Sequence, residues 1–391
     1  MKRFIDSPIR NDEERNRAAL VERLAARFAE RAPRYDREGS FPFDNFSDLR
    51  EAGYLKLTVP RAFGGDEIPL YEFVLLQERL AYGDGSTALA VGWHLGQIMH
   101  LRTTGKWPAE TFEELCRSVV KDGTMINTFA SEASSGSPSR GGRPETSAIA
   151  ADGGWRITGR KTFSTLSPIL DRFVVSAYIP EENVTADFLV HRSDRVSIVE
   201  TWDTIGMRAT GSHDVVLDGA FAGAGSRLTG KGTDDGGGWL LHIPACYMGI
   251  ALAARDYSLA FARSYKPNSL DTPIASLPAV QQMIGEMEIE LRTARTLLYA
   301  AADRWDKEPA ERSAMKPELG LAKYTVTNNA IRVVDLAMRI VGGTSLSRAN
   351  PLERYYRDVR AGLHNPPMDS SVIQTLAATA LGEGSLLNGL S

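Results

Sequence analysis

The chain has 391 residues, of which 43% are hydrophobic, and its 45 basic residues nearly balance 49 acidic ones. A formal net charge of −4 provides no basic field for nucleic acid or an anionic membrane, so we expect neither partner. The two cysteines, Cys116 and Cys246, lie far apart, which argues against a disulfide framework and a metal site. The expected location is the reducing cytoplasm.

The first third of the chain predicts helices. Residues 12–30 place apolar side chains on one face, with a start at Asn11-Asp12 and a predicted end before Pro33. Further helical patterns follow, at residues 46–52, 70–82, 87–103 and 109–121. We therefore predict an N-terminal helical domain over residues 1–122.

After Asp122 the pattern changes to short runs of β-branched and aromatic residues. Turns rich in Gly, Asp, Asn and Pro separate the runs, which cover residues 125–131, 148–157, 173–179, 186–190, 196–201 and 213–217. Because no helical patterns interleave with them, they predict an antiparallel β-domain over residues 123–229 and not a nucleotide-binding α/β fold.

Helical spacing returns after the glycine-rich stretch 230–238. Apolar residues recur at alternating steps of three and four along residues 284–305 and again along residues 319–340. This spacing predicts near-parallel packing of long helices. The complete pattern predicts an α+β multidomain fold whose C-terminal helical bundle covers residues 230–391.

The stretch from Met125 to Thr165 carries the clearest chemical pattern. Its loop, Ser134 to Ser139, offers hydroxyls and backbone N–H groups without bulk, which suits a phosphate group. The flanking strands place an aromatic residue beside a hydroxyl, as in Phe163 and Thr165, which suits a planar ring with a hydrogen-bonding rim. A flavin has this shape, although such loops also occur as ordinary turns.

This stretch resembles the middle-domain signature of the acyl-CoA dehydrogenase superfamily, through Ser131-Glu132, Gly136-Ser137 and the run GRKTFST at 159–165. Further matches are Gly206-Met207-Arg208, Gly342-Gly343 and the run ending at Asp358. The resemblance implies FAD, bound by Thr128, Phe129, Ala130, Ser131, Ser137, Phe163, Ser164, Thr165, Gly342 and Gly343. It also implies a homotetramer or homodimer in which the helical bundle completes the neighbour's cofactor site.

The chain departs from the family pattern where that family places its catalytic glutamate. The resemblance puts this base eight residues after Asp358, where this chain has Pro366, and the family's other placement corresponds to about Trp239. The family's arginine clamp on the FAD pyrophosphate has no clear match around Arg263, which leaves FMN open beside FAD.

The run Leu363-His364-Asn365-Pro366 resembles the Leu-His-Asp-Pro run of flavin-dependent monooxygenases that share this fold. Those enzymes take reduced flavin from a partner reductase and place histidines near it. His364 is therefore a candidate proton donor and His94 a second, although either could make an ordinary structural hydrogen bond. Asp369 is the nearest carboxylate to the position of the family's base, which makes it a candidate replacement.

Three functions follow from these observations. The first is nominal α,β-dehydrogenation of an acyl-CoA thioester without the usual glutamate, with electrons passing to an acceptor. The second is oxygenation by a two-component monooxygenase supplied by a flavin reductase. The third is a flavin or acyl-CoA binding protein without catalysis.

Overall fold

The computed structural model describes residues 4–134, 142–230 and 232–382. Ser137 lies outside these ranges. The helices are α1 (Asp12–Glu38), α2 (Phe43–Glu51), α3 (Leu70–Gly83), α4 (Gly85–Thr104), α5 (Ala109–Asp122), α6 (His242–Ser264), α7 (Pro278–Lys307), α8 (Lys316–Val341), α9 (Pro351–Val359) and α10 (Asp369–Ala380). The strands are β1 (Ile126–Phe129), β2 (Ser147–Ala151), β3 (Gly154–Lys161), β4 (Arg172–Ile179), β5 (Val184–His191), β6 (Val196–Val199), β7 (Asp214–Gly223) and β8 (Arg227–Leu228).

The predicted order of a helical, a β and a second helical part is confirmed. The two helical parts pack together, because α3 contacts both α1 and α6, and α4 also contacts α6. Helices α3 and α4 are buried on nearly every side. The α4 sequence is largely apolar all round, whereas α3 also buries Glu72, Glu78 and Arg79. The β-domain lies between them in sequence and contacts α4 through β1.

Helix α1 is longer than its sequence predicts. It does not end before Pro33 but continues to Glu38, where Gly39 caps it with a φ of +65°. A proline inside a helix removes one hydrogen bond, and contacts made by the last turn offset this loss. Tyr35 donates a hydrogen bond to Asp44, and Asp36 accepts two from Arg357. Tertiary contacts therefore override the local stop signal.

The sheet has the order β6-β7-β3-β2-β4-β5-β8, with β1 paired to β4. Most pairs are antiparallel, as predicted, while β1 and β2 each pair with β4 in parallel. The run predicted over 148–157 is wrong as a single strand. It forms β2 and β3, which turn at Gly153 with a φ of +71°.

The two apolar patterns of the C-terminal part become α7 and α8, which pack against each other. Their predicted contact residues include Leu291, Leu298 and Trp305 in α7 and Val326 and Val333 in α8, all of them buried. Among the described residues, none of the helices is sufficiently long and apolar to cross a bilayer.

Candidate functional site

Three hydroxyl groups gather where the chain leaves β3 and enters β7. Thr165 Oγ1 lies 2.8 Å from Ser212 Oγ, which lies 2.7 Å from Thr210 Oγ1. The backbone carbonyl of Thr165 accepts a hydrogen bond of 3.0 Å from Asn127 Nδ2 of β1. Because each member is held by the next, this hydroxyl cluster (Thr165, Thr210 and Ser212) forms a fixed polar network. Thr210 and Ser212 are buried, and Thr165 is its half-buried member.

Thr128, one of the residues expected to bind cofactor, lies half-buried on β1. Its hydroxyl lies 3.0 Å from Oε1 of Gln97 in α4 and donates to it. This contact joins the β-domain to the N-terminal helices. It lies beside the hydroxyl cluster, because the preceding residue, Asn127, donates to the Thr165 carbonyl.

Phe163 is exposed over 68% of its surface, which is unusual for a large aromatic side chain. Its backbone has a φ of +54°, a conformation that side chains other than glycine adopt at a cost. Its ring lies 5.8 Å from that of Trp202, edge to face. The chain therefore holds an exposed aromatic surface two residues from Thr165.

Four other predicted cofactor residues lie close in sequence to these. Phe129 is buried against Phe173, and the Ser164 side chain is fully buried, so the side chains of both belong to the interior. Ala130 and Ser131 are half-buried, and the Ser131 carbonyl accepts a hydrogen bond of 2.9 Å from the Thr162 backbone.

Met207 connects the hydroxyl cluster to α9. Its backbone N–H donates to Asp358 Oδ1 at 2.6 Å, and its carbonyl accepts from Thr210 Oγ1 at 3.1 Å. Burial raises the pKa of the Asp358 carboxyl to about 7, against the opposing effects of Arg354 and the Met207 N–H. The turn before the cluster is therefore docked on a buried carboxyl at the end of α9.

A second junction lies beside this one and joins all three parts of the chain. The Arg357 guanidinium donates to both carboxylate oxygens of Asp36 at 2.8 and 2.6 Å, and also to Glu353. Arg208 of the β-domain donates to the Asp36 carbonyl at 2.7 Å. The end of α1, the β-domain turn and α9 are thus fixed relative to one another.

His364 ends the short 3-10 helix that follows α9, and its side chain is exposed. The residues around it are held in place. The Tyr247 hydroxyl of α6 donates to Asn365 Oδ1 at 2.5 Å, and Gly362 packs against the Tyr247 ring. A fixed backbone therefore presents an accessible imidazole.

His94 is removed from solvent, whereas His364 is exposed. It is fully buried in α4, its Nε2 contacts the Leu55 carbonyl at 3.1 Å, and its Nδ1 accepts from the Ile126 N–H at 3.2 Å. Burial lowers the pKa of His94 to about 4, so the ring is neutral. Both nitrogens are engaged with backbone groups, which favours the structural alternative for His94 over a role as proton donor.

Asp369 begins α10 and is engaged with α8. Its carboxylate accepts hydrogen bonds from Lys323 Nζ at 3.2 Å and from Asn328 Nδ2 at 3.1 Å. Lys323 is almost fully buried, so Asp369 serves as its counter-ion. This arrangement does not favour a role for Asp369 as a free base.

The two positions at which the resemblance leads us to expect the family's glutamate are Pro366 and Trp239. Pro366 lies in the loop between His364 and α10. Trp239 packs in an aromatic cluster, with its ring 5.8 Å from Trp93 and 6.1 Å from His242. Burial lowers the pKa of His242 to about 3, which keeps this third histidine neutral.

Gly342 and Gly343 directly follow the C-terminal end of α8, in an exposed 3-10 helix that contacts α8 and α9. They are exposed, as is Leu346 beside them, over 73% of its surface. No group of three or more His, Cys, Asp or Glu side chains within the described ranges is arranged to hold a metal ion.

Sequence reasoning missed several of the residues that form the site. Thr210 and Ser212 stand in a Thr-Gly-Ser run directly after Gly206-Met207-Arg208, and that proximity was the available signal. Gln97 and Tyr247 gave none, because a polar residue in an apolar helix pattern does not reveal its partner.

Three family models match the chain. The N-terminal domain of acyl-CoA dehydrogenase matches residues 11–106, its middle domain matches residues 127–220, and its C-terminal domain matches residues 242–363. Their order and limits follow the helical, β and helical parts of the structure.

The similar proteins include acyl-CoA dehydrogenases and nitrososynthases. YdbM of Bacillus subtilis (strain 168), which is named for the acyl-CoA dehydrogenases, is 50% identical over 376 residues, covering 95% of this chain and 98% of that protein. The amino sugar nitrososynthase RubN8 of Streptomyces rubradiris is 32% identical, covering 93% and 89%. KijD3, solved with FMN and a dTDP-linked amino sugar, is 26% identical with a TM-score of 0.83, covering 95% of this chain and 94% of that one.

Proposed function

Because this chain belongs to the acyl-CoA dehydrogenase family, we propose that it is a flavin-dependent oxidoreductase whose flavin ring lies against the hydroxyl cluster. The fit rests on the donor set, because a flavin rim carries both N–H groups and carbonyl oxygens, and hydroxyls can pair with either. The exposed ring of Phe163 supplies an apolar surface for a planar group.

In this proposal the predicted residues have distinct roles. The hydroxyls of Thr128 and Thr165 and the backbone of Ala130 and Ser131 contact the flavin. Phe129 and Ser164 support this surface from the interior, since their side chains are buried. Gly342 and Gly343 reach the cofactor of a neighbouring copy, as part of a homotetramer or homodimer.

The reaction that the geometry supports best is oxygenation with reduced flavin. When bound, reduced flavin supplies electrons to dioxygen. The single observation that carries this choice is the loop after α9, which presents an accessible imidazole at His364 and a proline at the family's base position. His364 would hold a proton for the oxygen atom that is released as water, and the Tyr247–Asn365 hydrogen bond would fix its position.

The nitrososynthase similarity favours the same class. A nitroso group contains a bond between nitrogen and oxygen, so making one on an amino sugar adds oxygen to the substrate. In the proposal, the reduced flavin comes from a partner reductase, and both FMN and FAD are candidate cofactors. KijD3 was solved with FMN.

The second candidate is α,β-dehydrogenation of an acyl-CoA with transfer of electrons to an acceptor protein. The similarity to YdbM favours it, because 50% identity covers 98% of that protein. This reaction requires a base that abstracts the α-proton. Asp369 is the carboxylate nearest in sequence to the expected position of the family's base, although it already pairs with Lys323.

One experiment separates the candidates. The protein is first titrated with oxidised FMN and FAD, and binding is followed by quenching of flavin fluorescence. The protein-bound oxidised flavin is then mixed anaerobically with a panel of acyl-CoA thioesters. In a third step, protein-bound reduced flavin is mixed with dioxygen, and return of the oxidised absorbance band is compared with that of free reduced flavin.

We expect flavin binding, no bleaching by acyl-CoA, and a delayed return of the oxidised band. Bleaching by a thioester would contradict oxygenation and establish dehydrogenation. Flavin binding with neither bleaching nor delay would identify a binding protein without either activity. Absence of flavin binding would contradict the proposed function as a whole.

A further inference from the structure

A histidine and a buried carboxylate meet between α4 and the segment that precedes α6. His100 Nδ1 lies 3.2 Å from Asp235 Oδ2. The side chain of Asp235 is only 4% exposed, whereas that of His100 is 18% exposed. This His100–Asp235 pair takes no part in the reaction as proposed above.

Asp235 is held in place by groups other than His100. Its Oδ2 accepts from Thr103 Oγ1 at 2.6 Å, and its Oδ1 accepts from the Gly237 N–H at 3.0 Å. Its backbone carbonyl accepts from Trp305 Nε1 at 2.8 Å. Burial opposes ionisation, but the contact with His100 and these side-chain hydrogen bonds together lower the pKa of Asp235. The side chain is therefore an oriented, ionised carboxylate.

This carboxylate decides which nitrogen of His100 carries the proton. An ionised carboxylate only accepts hydrogen bonds, so Nδ1 is the protonated nitrogen of the neutral imidazole. The lone pair then lies on Nε2, which makes no hydrogen bond among the residues that the structure describes. His100 is therefore an oriented and accessible base, and the charge of Asp235 stabilises the imidazolium that forms when Nε2 takes up a proton.

The face of α4 that carries His100 also leads to the proposed flavin site. Gln97 precedes His100 by three residues and Trp93 precedes Gln97 by four, so the three side chains share one face. Gln97 accepts the hydrogen bond of Thr128, whose hydroxyl is one of the proposed flavin contacts. Three residues advance about 4.5 Å along a helix, so His100 lies within one turn of the residue that holds this contact.

Two half-buried tryptophans stand beside His100. The ring of Trp239 lies 5.4 Å from that of His100 and 5.8 Å from that of Trp93. Trp239 packs directly on the backbone of α4, because a Cβ at Gly96 would lie 2.7 Å from its Cε3. A base next to fixed aromatic surfaces suits a planar molecule that carries a polar group.

We infer that His100, oriented by Asp235, is the base that accepts a proton from the substrate, and that the substrate is a planar molecule whose reacting group carries an N–H or O–H. This inference rests on the proposed oxygenation. Asp235 is a positioning residue, because it acts through His100. Trp93 and Trp239 contact the planar part of the substrate.

The proton transfer balances within the proposed reaction. The substrate's bond to hydrogen breaks, its electron pair stays with the substrate, and the proton moves to His100 Nε2. One atom of dioxygen bonds to the substrate and later receives this proton. With two electrons and two protons from reduced flavin, the other atom leaves as water.

The test follows the proton of a probe bound to the full-length protein freed of flavin. The probe is para-nitrophenol, a planar molecule whose phenol and phenolate forms absorb at different wavelengths. Difference spectra are recorded at a pH where the free probe is mainly the phenol, for the wild type, His100→Gln, Asp235→Asn and Trp93→Ala. His191→Gln is the matched control, because it removes an exposed histidine at the end of β5.

We expect the wild type to bind the probe with an increased phenolate band. His100→Gln should hold it as the phenol and bind it about tenfold more weakly or worse, because a charge-assisted hydrogen bond is lost. Asp235→Asn should reduce the phenolate fraction of the bound probe, because the imidazolium loses its counter-ion. Trp93→Ala should weaken binding while the bound probe keeps its phenolate band, and His191→Gln should match the wild type.

Circular dichroism and thermal unfolding establish that each variant is folded. A phenolate band that persists in His100→Gln, or a wild type that binds the probe only as the phenol or not at all, would overturn the role of His100 while leaving the flavin proposal standing. A wild type that binds no flavin, or whose flavin is bleached by an acyl-CoA, would instead overturn the proposed function and this inference with it.

Discussion

The two sides of the candidate site differ in how closely they follow the family pattern. On the β-domain side, Thr128, Thr165 and the Glu132–Lys161 pair lie in the segments that resemble the family signature, within a dense hydrogen-bond network. On the side of α9, the loop after Asp358 departs from the pattern and carries His364 and Pro366. In the proposed function, the part that would hold the cofactor is retained, and the part that would act on substrate is changed.

This difference has a physical basis. Binding the flavin requires many weak contacts whose positions depend on one another, so the surrounding structure tolerates little change. Proton transfer requires one group of suitable pKa on a fixed backbone, and a single substitution can replace it. A chain can therefore keep the cofactor site of a family while carrying out a different reaction.

The largest expected effect comes from His364→Ala, which tests the side of α9 directly. Loss of the group that protonates the departing oxygen should lengthen the delay before the oxidised flavin band returns by about 100-fold or more, because general acid–base groups contribute on that scale. FMN affinity and thermal stability should not change. His191→Ala, an exposed histidine at the end of β5, is the control. An unchanged delay would remove His364 from the mechanism.

Asp358→Asn tests the junction between the two sides through its pH dependence. The folded-state pKa of about 7 exceeds the ordinary carboxyl value of 3.8, so the folded protein keeps a proton that the unfolded protein releases. The stability contribution of this carboxyl is therefore present below about pH 4 and is lost as the pH rises to about 7.

The Asp358→Asn variant should not lose this stability as the pH rises. The difference in free energy of unfolding, variant minus wild type, should increase by up to about 1.4 kcal/mol per pH unit within that window. Urea unfolding at several pH values measures it. A difference that does not vary with pH would show that Asp358 is ionised in the folded protein throughout.

Gly206→Ala tests the same junction sterically and should have a smaller effect. A Cβ at this position would lie 2.3 Å from the backbone carbonyl oxygen of Arg357, which cannot move without displacing α9. We expect the free energy of unfolding to fall by about 1–3 kcal/mol. Gly225→Ala is the matched control, since a Cβ there has nothing within 4 Å. Equal stability of the two variants would contradict tight docking.

His94→Gln should have the smallest effect and sharpens the contrast between the two histidines. Because the pKa of His94 is lowered to about 4, its loss should leave the pH profile of activity between pH 6 and 8 as it is. Stability should fall by about 1 kcal/mol as backbone partners are lost. A shifted activity profile, with stability unaffected, would return His94 to the list of catalytic candidates.

Local patterns were sufficient to predict some features and not others. The three-part fold and the burial of Leu298 and Val333 follow from spacing and turn residues. The end of α1 did not, because Pro33 signals a stop that contacts of Asp36 override. The sequence pattern also did not predict that residues 148–157 divide into β2 and β3, since only one short turn at Gly153 separates the two strands.

By itself, the sequence determined the order of the elements and the chemistry available to each segment, because periodicity and turn residues act between near neighbours. Only the tertiary structure decided which of two histidines is accessible. It also brought Thr210 and Ser212 to Thr165, and Asp358 to Met207. These contacts join residues distant in the chain, and no local pattern records which distant group removes a side chain from water or supplies its hydrogen bond.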